Sequence, residues 1–401
     1  MTHFCRHCGS PLEHQVIDLG HQPPSNAFCS AEQLTGPETT YPLLVLVCTK
    51  CWLVQLPAHA AADALFTPDY AYFSSTSTSW CAHAERFVTA AVERLELGPA
   101  SYVVELASND GYLLQFVQQR GIRCMGIEPT RATAEAARAK GIATMESFFG
   151  LTLAQELEPA DLVVANNVLA HVPDINDFLA GIAQLLKPTG MASIECPHLL
   201  RLLQGNQFDT IYHEHYSYLS LQVVERMAAA SGLALVDVEE LPTHGGSLRL
   251  WLAPHDAGRR PSASVDRVRA KEQAAGLESL EAWTDFQRRA EAVKNGLLRF
   301  LLAEHDARRM VLGYGAAAKG NTLLNYAGVR SDLLAAVADR ALSKQGKYLP
   351  GSHIPVISPE QLAERNPHTL LVLPWNLIDE VEQEWPCIQL ATAIPELVMH
   401  R

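Results

Sequence analysis

Between Ser101 and Trp251, short apolar runs alternate with longer helix-permissive stretches. Ser101 to Leu114 reads as strand, tight loop and helix, and Ile122 to Ile127, Asp161 to Ala165, Met191 to Glu195, Leu233 to Val238 and Ser247 to Trp251 read as strands. A helix-like segment begins near Trp80, ahead of the first of them. Strands that alternate with helices predict a mostly parallel, doubly wound sheet covered on both faces. From Pro254 to His305 the chain turns charge-rich, with apolar positions at Leu277, Leu280, Trp283 and Phe286, and reads as a connecting helical layer or a dimer-forming arm. Met310 to Gly313, Leu333 to Ala338 and Thr369 to Leu373 then predict a second sheet of the same kind. The expected fold class is therefore α/β, with a small first domain over residues 1–75, a central doubly wound domain over 76–255 and a second doubly wound sheet in a C-terminal domain over 256–401.

A length of 401 residues agrees with this partition, since a domain takes about 150 residues. Apolar residues at 48% and charged residues at 19% exclude a disordered or collagenous chain. The formal charge is −13 with no run of Lys and Arg, whereas gripping a phosphate backbone requires a clustered basic face, so nucleic acid is not an expected partner. No stretch approaches the ~20 continuous apolar residues of a membrane span. The start, Met1-Thr2-His3-Phe4-Cys5-Arg6, lacks the basic-then-apolar run of a secretory signal, and a reducing cytoplasm is expected.

That expectation gives the cysteines their meaning. Cys5-Arg6-His7-Cys8 and Cys48-Thr49-Lys50-Cys51 are two C-x2-C pairs, each able to present two thiolates to one tetrahedral ion. Four soft ligands leave no open position, which predicts a structural zinc at Cys5, Cys8, Cys48 and Cys51. Gly9 supplies backbone freedom for the first turn. A redox dithiol is the rival reading, and His7, His14 or His21 could replace one thiolate.

The segment Glu105-Leu106-Ala107-Ser108-Asn109-Asp110-Gly111-Tyr112-Leu113 follows the first central strand and opens a helix, the place where α/β folds bind nucleotides. Its pattern is E-x-A-x-N-x-G rather than G-x-G-x-x-G, with Ala107 and Asn109 where glycines commonly stand, so NAD is disfavoured. Glu128, followed by Pro129, ends the next strand and can accept from both hydroxyls of a ribose, or can cap the helix that follows. Phe148 and Phe149 are placed to flank an adenine or else belong to the core, and Asn166-Asn167 ends the fourth strand. Together Glu105, Ala107, Ser108, Asn109, Gly111, Tyr112, Leu113, Glu128 and Asn166 outline a site for S-adenosylmethionine.

Three further groups fall at predicted strand ends or loops: Asn167 to Asp174, Tyr212-His213-Glu214-His215-Tyr216-Ser217-Tyr218, and His244-Gly245-Gly246-Ser247-Leu248-Arg249. Seven polar or aromatic residues in a row suit neither a buried strand nor an amphipathic helix, so Tyr212 to Tyr218 reads as a functional loop. With the paired C-x2-C knuckles, E-L-A-S-N-D-G, N-N-V-L-A-H-V-P-D, H-E-H-Y-S-Y-L, H-G-G-S-L-R and G-Y-G-A-A-A-K-G-N-T-L-L-N at Gly313 to Asn325, the whole chain resembles the nucleotide-sugar C-methyltransferases, which methylate carbon 3 of dTDP-4-keto-deoxysugars.

The resemblance implies a zinc-binding first domain, a Rossmann-like central domain for S-adenosylmethionine, a Rossmann-like C-terminal domain, and a sugar held where the three meet. Carbon is a poor nucleophile, and a ketone at carbon 4 acidifies the proton on carbon 3, so the site needs a base together with donors for the oxygen that gains charge. By resemblance His215 is the base, Tyr212 and His171 hold the oxyanion, Glu214 orients His215 or a sugar hydroxyl, and Asn167 positions the substrate. Tyr72 matches a family tyrosine loosely. His244, Gly245, Gly246 and Arg249, with Gly315, Lys319 and Asn321 of the C-terminal glycine loop, are implied to contact the nucleotide sugar. That loop reads G-x-G-x4-G, and Asp339 lies where a dinucleotide fold keeps its ribose acid, so an NAD oxidoreductase stays an alternative. O-methylation of a small alcohol and a zinc-ribbon adaptor are the other competing functions. The expected assembly is a monomer or small homo-oligomer.

Overall fold

The computed structural model describes residues 2–59 and 73–400. In the first domain a hairpin of β1 (His3–Phe4) and β2 (Pro11–Leu12) leads into β3 (His14–Gln22), β4 (Tyr41–Val47) and β5 (Val54–Gln55). The apolar run 43–47 forms the interior of β4, paired antiparallel to β3 and β5. A fourth strand completes this sheet, and it comes from the central part of the chain: Ser217–Tyr218 pairs antiparallel with β5.

The central sheet is built from β6 (Tyr102–Leu106), β7 (Arg123–Ile127), β8 (Thr144–Met145), β9 (Ala160–Asn166) and β10 (Leu186–Pro197); β11 is the borrowed Ser217–Tyr218; β12 (Leu233–Leu241) and β13 (Ser247–Pro254) close it as a hairpin. Its order is β12-β13-β10-β9-β6-β7-β8, parallel from β10 to β8 and antiparallel across the hairpin. Every residue of β6 is buried, as expected of an interior parallel strand. After β8 the chain returns to the other side of β6 to form β9, which places the point where strand order reverses between β6 and β9. A doubly wound sheet opens its ligand crevice at that point, outside the carboxyl ends of the strands.

Helices Ala263–Ala274 and Phe286–Asp306 form the connecting layer. Beyond it, β14 (Val311–Tyr314), β15 (Val337–Ala338), β16 (Val356–Ile357), β17 (Thr369–Val372), β18 (Gln389–Thr392) and β19 (Val398–His400) make the second sheet, order β16-β15-β14-β17-β18-β19. Only the last pair is antiparallel. The run expected as a strand from Leu333 is strand only at Val337–Ala338, because Leu333 and Leu334 turn back to hydrogen-bond Arg330.

Apolar packing binds the three parts. One core joins Cys5, Cys48 and Leu53 to the central sheet, and another joins Val16, Ile17 and Val45 to helix Phe286–Asp306 and the C-terminal sheet. The first domain is thus wedged between the other two. The helical layer is also fastened by charge: fully buried Glu272 accepts from His198 Nε2 at 2.7 Å, Leu221 N at 2.6 Å and Gln222 N at 3.1 Å. Glu272→Ala would leave those donors buried without an acceptor, and should lower stability by about 3–5 kcal/mol. A urea unfolding midpoint equal to wild type would contradict that placement.

Candidate functional site

The first C-x2-C turn lies between β1 and β2 and the second between β4 and β5. Their four sulfurs all lie within 4.8 Å of one another, with Cys5 to Cys51 at 3.4 Å and Cys8 to Cys48 at 3.5 Å. Zinc with four ~2.3 Å bonds to sulfur keeps the sulfurs about 3.8 Å apart, so a small expansion admits the ion. Gly9, at φ 70°, closes the first turn by donating to the Cys5 carbonyl at 2.9 Å. Gln55 Nε2 donates to Cys5 Sγ at 3.2 Å, and the hydrogen bond from Cys51, with further backbone donors, pulls the Cys5 thiol down to about 4. Among the described residues no histidine joins the group; His7 instead pairs with Asn176 Oδ1 at 2.8 Å.

At the switch point, Ala107, Asn109 and Gly111 all take left-handed backbone angles, so the turn after β6 folds tightly over the end of the strand. Gly111 is forced by packing, since a Cβ there would meet Ile142 Cδ1 at 2.3 Å. Glu128 Oε2 accepts from Asn109 N at 2.9 Å, while Oε1 accepts from Thr130 N at 2.9 Å. Glu128 therefore ties the turn to Thr130, the residue ahead of helix Arg131–Ala139; Oε1 also accepts from the Thr130 hydroxyl and is filled, while Oε2 keeps a lone pair. Phe149 packs edge-on against Phe178 at 5.4 Å and is core, whereas Phe148 is 52% exposed.

Four buried polar atoms at this edge have no partner among the described residues: Glu105 Oε2, Ser108 Oγ, Asn166 Oδ1 and Asn167 Oδ1. Such atoms are costly unless a ligand answers them. The three oxygens of Glu105, Asn166 and Asn167 are acceptors, which suits a ligand carrying an ammonium and ribose hydroxyls. Burial holds the Glu105 carboxyl well above its usual range, and a cation beside it would reverse that shift. The donor set fits S-adenosylmethionine.

From this crevice a line of rings leads to the acceptor groups. Tyr112 hydrogen-bonds Glu105 and stacks on Trp80 at 6.0 Å; Trp80 lies 5.2 Å from His244; His244 Nε2 accepts from Asn167 Nδ2 at 3.4 Å. His171, on the loop after β9, meets His215 edge-on at 4.6 Å. His215 Nδ1 lies 2.8 Å from the Thr210 carbonyl, which can only accept, so Nδ1 carries the hydrogen. Nε2 is then the lone-pair nitrogen and accepts from Tyr212 Oη at 2.8 Å. The residues 213–218 are buried, contrary to an open loop, because β11 joins the first domain's sheet.

Glu214 is held from the first domain: Asn26 Nδ2 donates to both its oxygens at 2.8 Å. The orientation of His215 thus comes from Thr210, a residue no motif marks. Gly245 and Gly246 are small for packing reasons, since a Cβ at Gly245 would lie 2.3 Å from the Trp375 ring and one at Gly246 would lie 2.5 Å from Arg201 Cγ. Arg249 is spent on ion pairs, with buried Glu195 at 2.8 Å and with the more exposed Glu239 at 3.3 Å. His83, also on Glu195 at 2.9 Å, and Trp80 were invisible as site residues because they lie on an ordinary amphipathic helix, Thr78–Leu95.

The C-terminal loop faces the same region. Lys319 Nζ donates to Asn376 Oδ1 at 2.9 Å and to the His244 carbonyl at 3.5 Å, and lies 4.6 Å above the Trp375 ring. Trp375 Nε1 donates to buried Asp209 at 2.7 Å. Asn321 Nδ2 donates to the Ser25 carbonyl at 2.6 Å, tying the loop to the first domain. Gly315, at φ 83°, passes against Pro374. Asp339, placed by spacing as a ribose acid, accepts from Ala316 N at 2.8 Å and Lys344 at 3.3 Å and so serves the loop itself. Tyr72 lies outside the described residues.

Loss of solvent holds His171, His213 and His244 down to about 4 and His215 well below its ordinary value. The unfolded chain takes up these protons near pH 6.5, so this contribution is complete above pH 6.5 and is lost as pH falls toward 4. Asp209, raised by burial to about 6, and Glu105, raised likewise, act in the opposite direction. Four imidazoles outweigh two carboxyls, and the urea midpoint should fall from pH 7 to pH 4.5, less steeply in His213→Gln. A midpoint that rises over that interval would contradict buried neutral imidazoles.

Among the described residues no helix is long and apolar enough to cross a membrane. Three family models match in succession: a zinc binding domain over 5–66, a methyltransferase domain over 80–238 and a C-methyltransferase C-terminal domain over 242–392. The C-methyltransferase NovU of Streptomyces niveus is 36% identical over 381 residues, covering 94% of this chain and 90% of NovU. Solved structures align more distantly. The PH0226 protein of Pyrococcus horikoshii OT3 gives a TM-score of 0.38 at 14% identity, covering 46% of this chain and 94% of its own. Magnesium protoporphyrin IX methyltransferase from Synechocystis gives 0.33 at 15%, covering 42% and 79%. Both are too remote to bear on the site. Shared domain order and identity along nearly the whole length place the chain in the family of S-adenosylmethionine-dependent C-methyltransferases with an N-terminal zinc-binding domain.

Proposed function

We propose that the protein methylates carbon 3 of a 4-keto-deoxysugar carried on a nucleotide such as dTDP. The observation that carries this reading is the Thr210–His215–Tyr212 chain: a neutral imidazole with its lone pair on Nε2, beside a phenol and a second imidazole. Carbon alkylation needs a base and an oxyanion donor on one small region of substrate, and O-methylation of an alcohol needs no second group of this kind.

In this reading the Tyr212 hydroxyl turns from His215 Nε2 to the ketone oxygen, which lies against Tyr212 and His171, and the freed Nε2 lone pair takes the proton from carbon 3. The C–H electron pair moves into the ring, leaving an enolate whose negative oxygen Tyr212 and His171 hold. The depressed pKa keeps His215 unprotonated at working pH, and the adjacent enolate offsets the cost of the imidazolium. S-adenosylmethionine, when bound, supplies an electrophilic methyl group to the enolate carbon. Glu105, Ser108, Asn166 and Asn167 would hold it through the four partnerless atoms, with Ala107, Asn109, Gly111, Tyr112 and Leu113 shaping the turn. Glu128 would accept from the ribose through the remaining lone pair of Oε2, while Pro129 directs the chain into the next helix. Glu214 shapes the loop through Asn26, and the sugar nucleotide lies toward Lys319, Asn321 and the Gly315 turn, with His244 between it and the methyl donor.

Incubation of the holoenzyme with a 4-keto nucleotide sugar in deuterated water, without methyl donor, should exchange the hydrogen on carbon 3, read by NMR. His215→Gln should slow that exchange by roughly 10²- to 10⁴-fold. Methylated product bearing the new group on oxygen, with no exchange at carbon 3, would overturn the reading.

A further inference from the structure

Apart from the four-thiol centre, one other group of metal-ligating side chains converges among the described residues. Cys29, Glu38 and His353 offer ligand atoms that all lie within 4.8 Å of one another. Glu38 Oε1 is 3.8 Å from Cys29 Sγ, and Glu38 Oε2 is 3.0 Å from His353 Nε2. Donors around a tetrahedral ion with bonds of ~2.0–2.3 Å stand roughly 3.3–3.6 Å apart, so a small adjustment would bring the thiolate, the imidazole and one of the two carboxylate oxygens onto one ion. Sulfur, imidazole nitrogen and carboxylate oxygen together suit a borderline divalent ion such as zinc, and do not suit magnesium or calcium, which take oxygen.

The three donors are also fixed in place by backbone. Cys29 and Tyr348 exchange N–H to carbonyl hydrogen bonds at 3.0 and 2.9 Å, an antiparallel bridge between the first and third domains. Gly351 N donates to Glu38 Oε1 at 2.8 Å, which orients the carboxylate. His353 holds φ 55°, with its N–H on the Leu349 carbonyl at 2.9 Å. Cys29 and Glu38 belong to the first domain and are half-buried, and His353 belongs to the third, with its side chain 41% exposed.

We propose that Cys29, Glu38 and His353 form a second metal site, binding one zinc-class ion with water in the fourth position and clamping the first domain to the third. The clamp lies just beyond Ser25 and Asn26, whose contacts to Asn321 and Glu214 shape the acceptor region.

Full-length protein stripped with a mild chelator and reloaded with excess zinc, then desalted, should retain two zinc ions per chain by elemental analysis, falling to one in Cys29→Ser, Glu38→Gln and His353→Asn. Glu38→Gln keeps an acceptor for the Gly351 N–H, and asparagine tolerates the left-handed backbone at His353, so both variants should keep the wild-type circular dichroism. Cobalt in place of zinc should show a second, weaker binding phase with sulfur-to-cobalt absorption that Cys29→Ser removes. Retention of a single ion by wild type, or of two ions by the folded variants, would overturn the site.

Discussion

A closed tetrahedral ion fixes the Cys5–Cys8 turn, and the two residues inside that turn reach the loops on which the acceptor cluster depends. Arg6 donates to the Pro173 carbonyl at 2.9 Å and to the Leu56 carbonyl at 2.5 Å, and lies 5.2 Å over the Tyr216 ring. His7 and Asn176 exchange hydrogen bonds, the Asn176 amide donating to the His7 carbonyl at 2.9 Å. Pro173 follows His171 by two residues, and Tyr216 is next to His215. The separation of the two imidazoles is therefore referred to a rigid metal knuckle. This gives the zinc a purpose beyond folding a small domain: it is the fixed point from which two loops of another domain are spaced.

The same wedge explains why so polar a segment is buried. Tyr212 to Tyr218 could not form a core by itself, since each hydroxyl, carboxylate and imidazole needs a partner once water is gone. Several partners come from elsewhere: Thr210 for His215, Asn26 for Glu214, β5 for the backbone of Ser217 and Tyr218, and Thr322 Oγ1 for the neighbouring Ile211 carbonyl at 2.8 Å, while His213 Nδ1 and Ser217 Oγ have none among the described residues. Burial then works on charge. A solvated His215 would be partly protonated near neutrality and unable to act as a base, whereas a desolvated one stays neutral until an anion forms beside it.

Much of this was legible in the sequence where the chemistry is local. Two C-x2-C turns specify a metal because ligand spacing alone sets the geometry, and the strand-turn-helix at Glu105 specifies a crevice because backbone and side chain serve the same end within a few residues. Roles that depend on partners far along the chain were not legible. Glu214 meets Asn26 across 188 positions, and Arg249 meets Glu195 across 54. Motifs name both residues, and only the fold reveals that Asn26 donates to the Glu214 carboxylate and that buried Glu195 pairs with Arg249.

The glycines carry the same lesson in reverse. Gly245, Gly246 and Gly315 invite a reading as ligand cradles, yet Trp375, Arg201 and Pro374 take up the space that a Cβ would fill. Those contacts are not idle. Trp375 pressed onto Gly245 brings the C-terminal domain against the His244 loop, and Lys319 reaches the His244 carbonyl from above the same ring. At Gly245 glycine permits a close approach between domains, while Gly246 and Gly315 each permit one within a domain. The walls of the acceptor region are thus set by how tightly two doubly wound sheets can face one another, and a larger residue at Gly245 would widen the gap between the crevice at β6 and β9 and the loop that begins at Gly315.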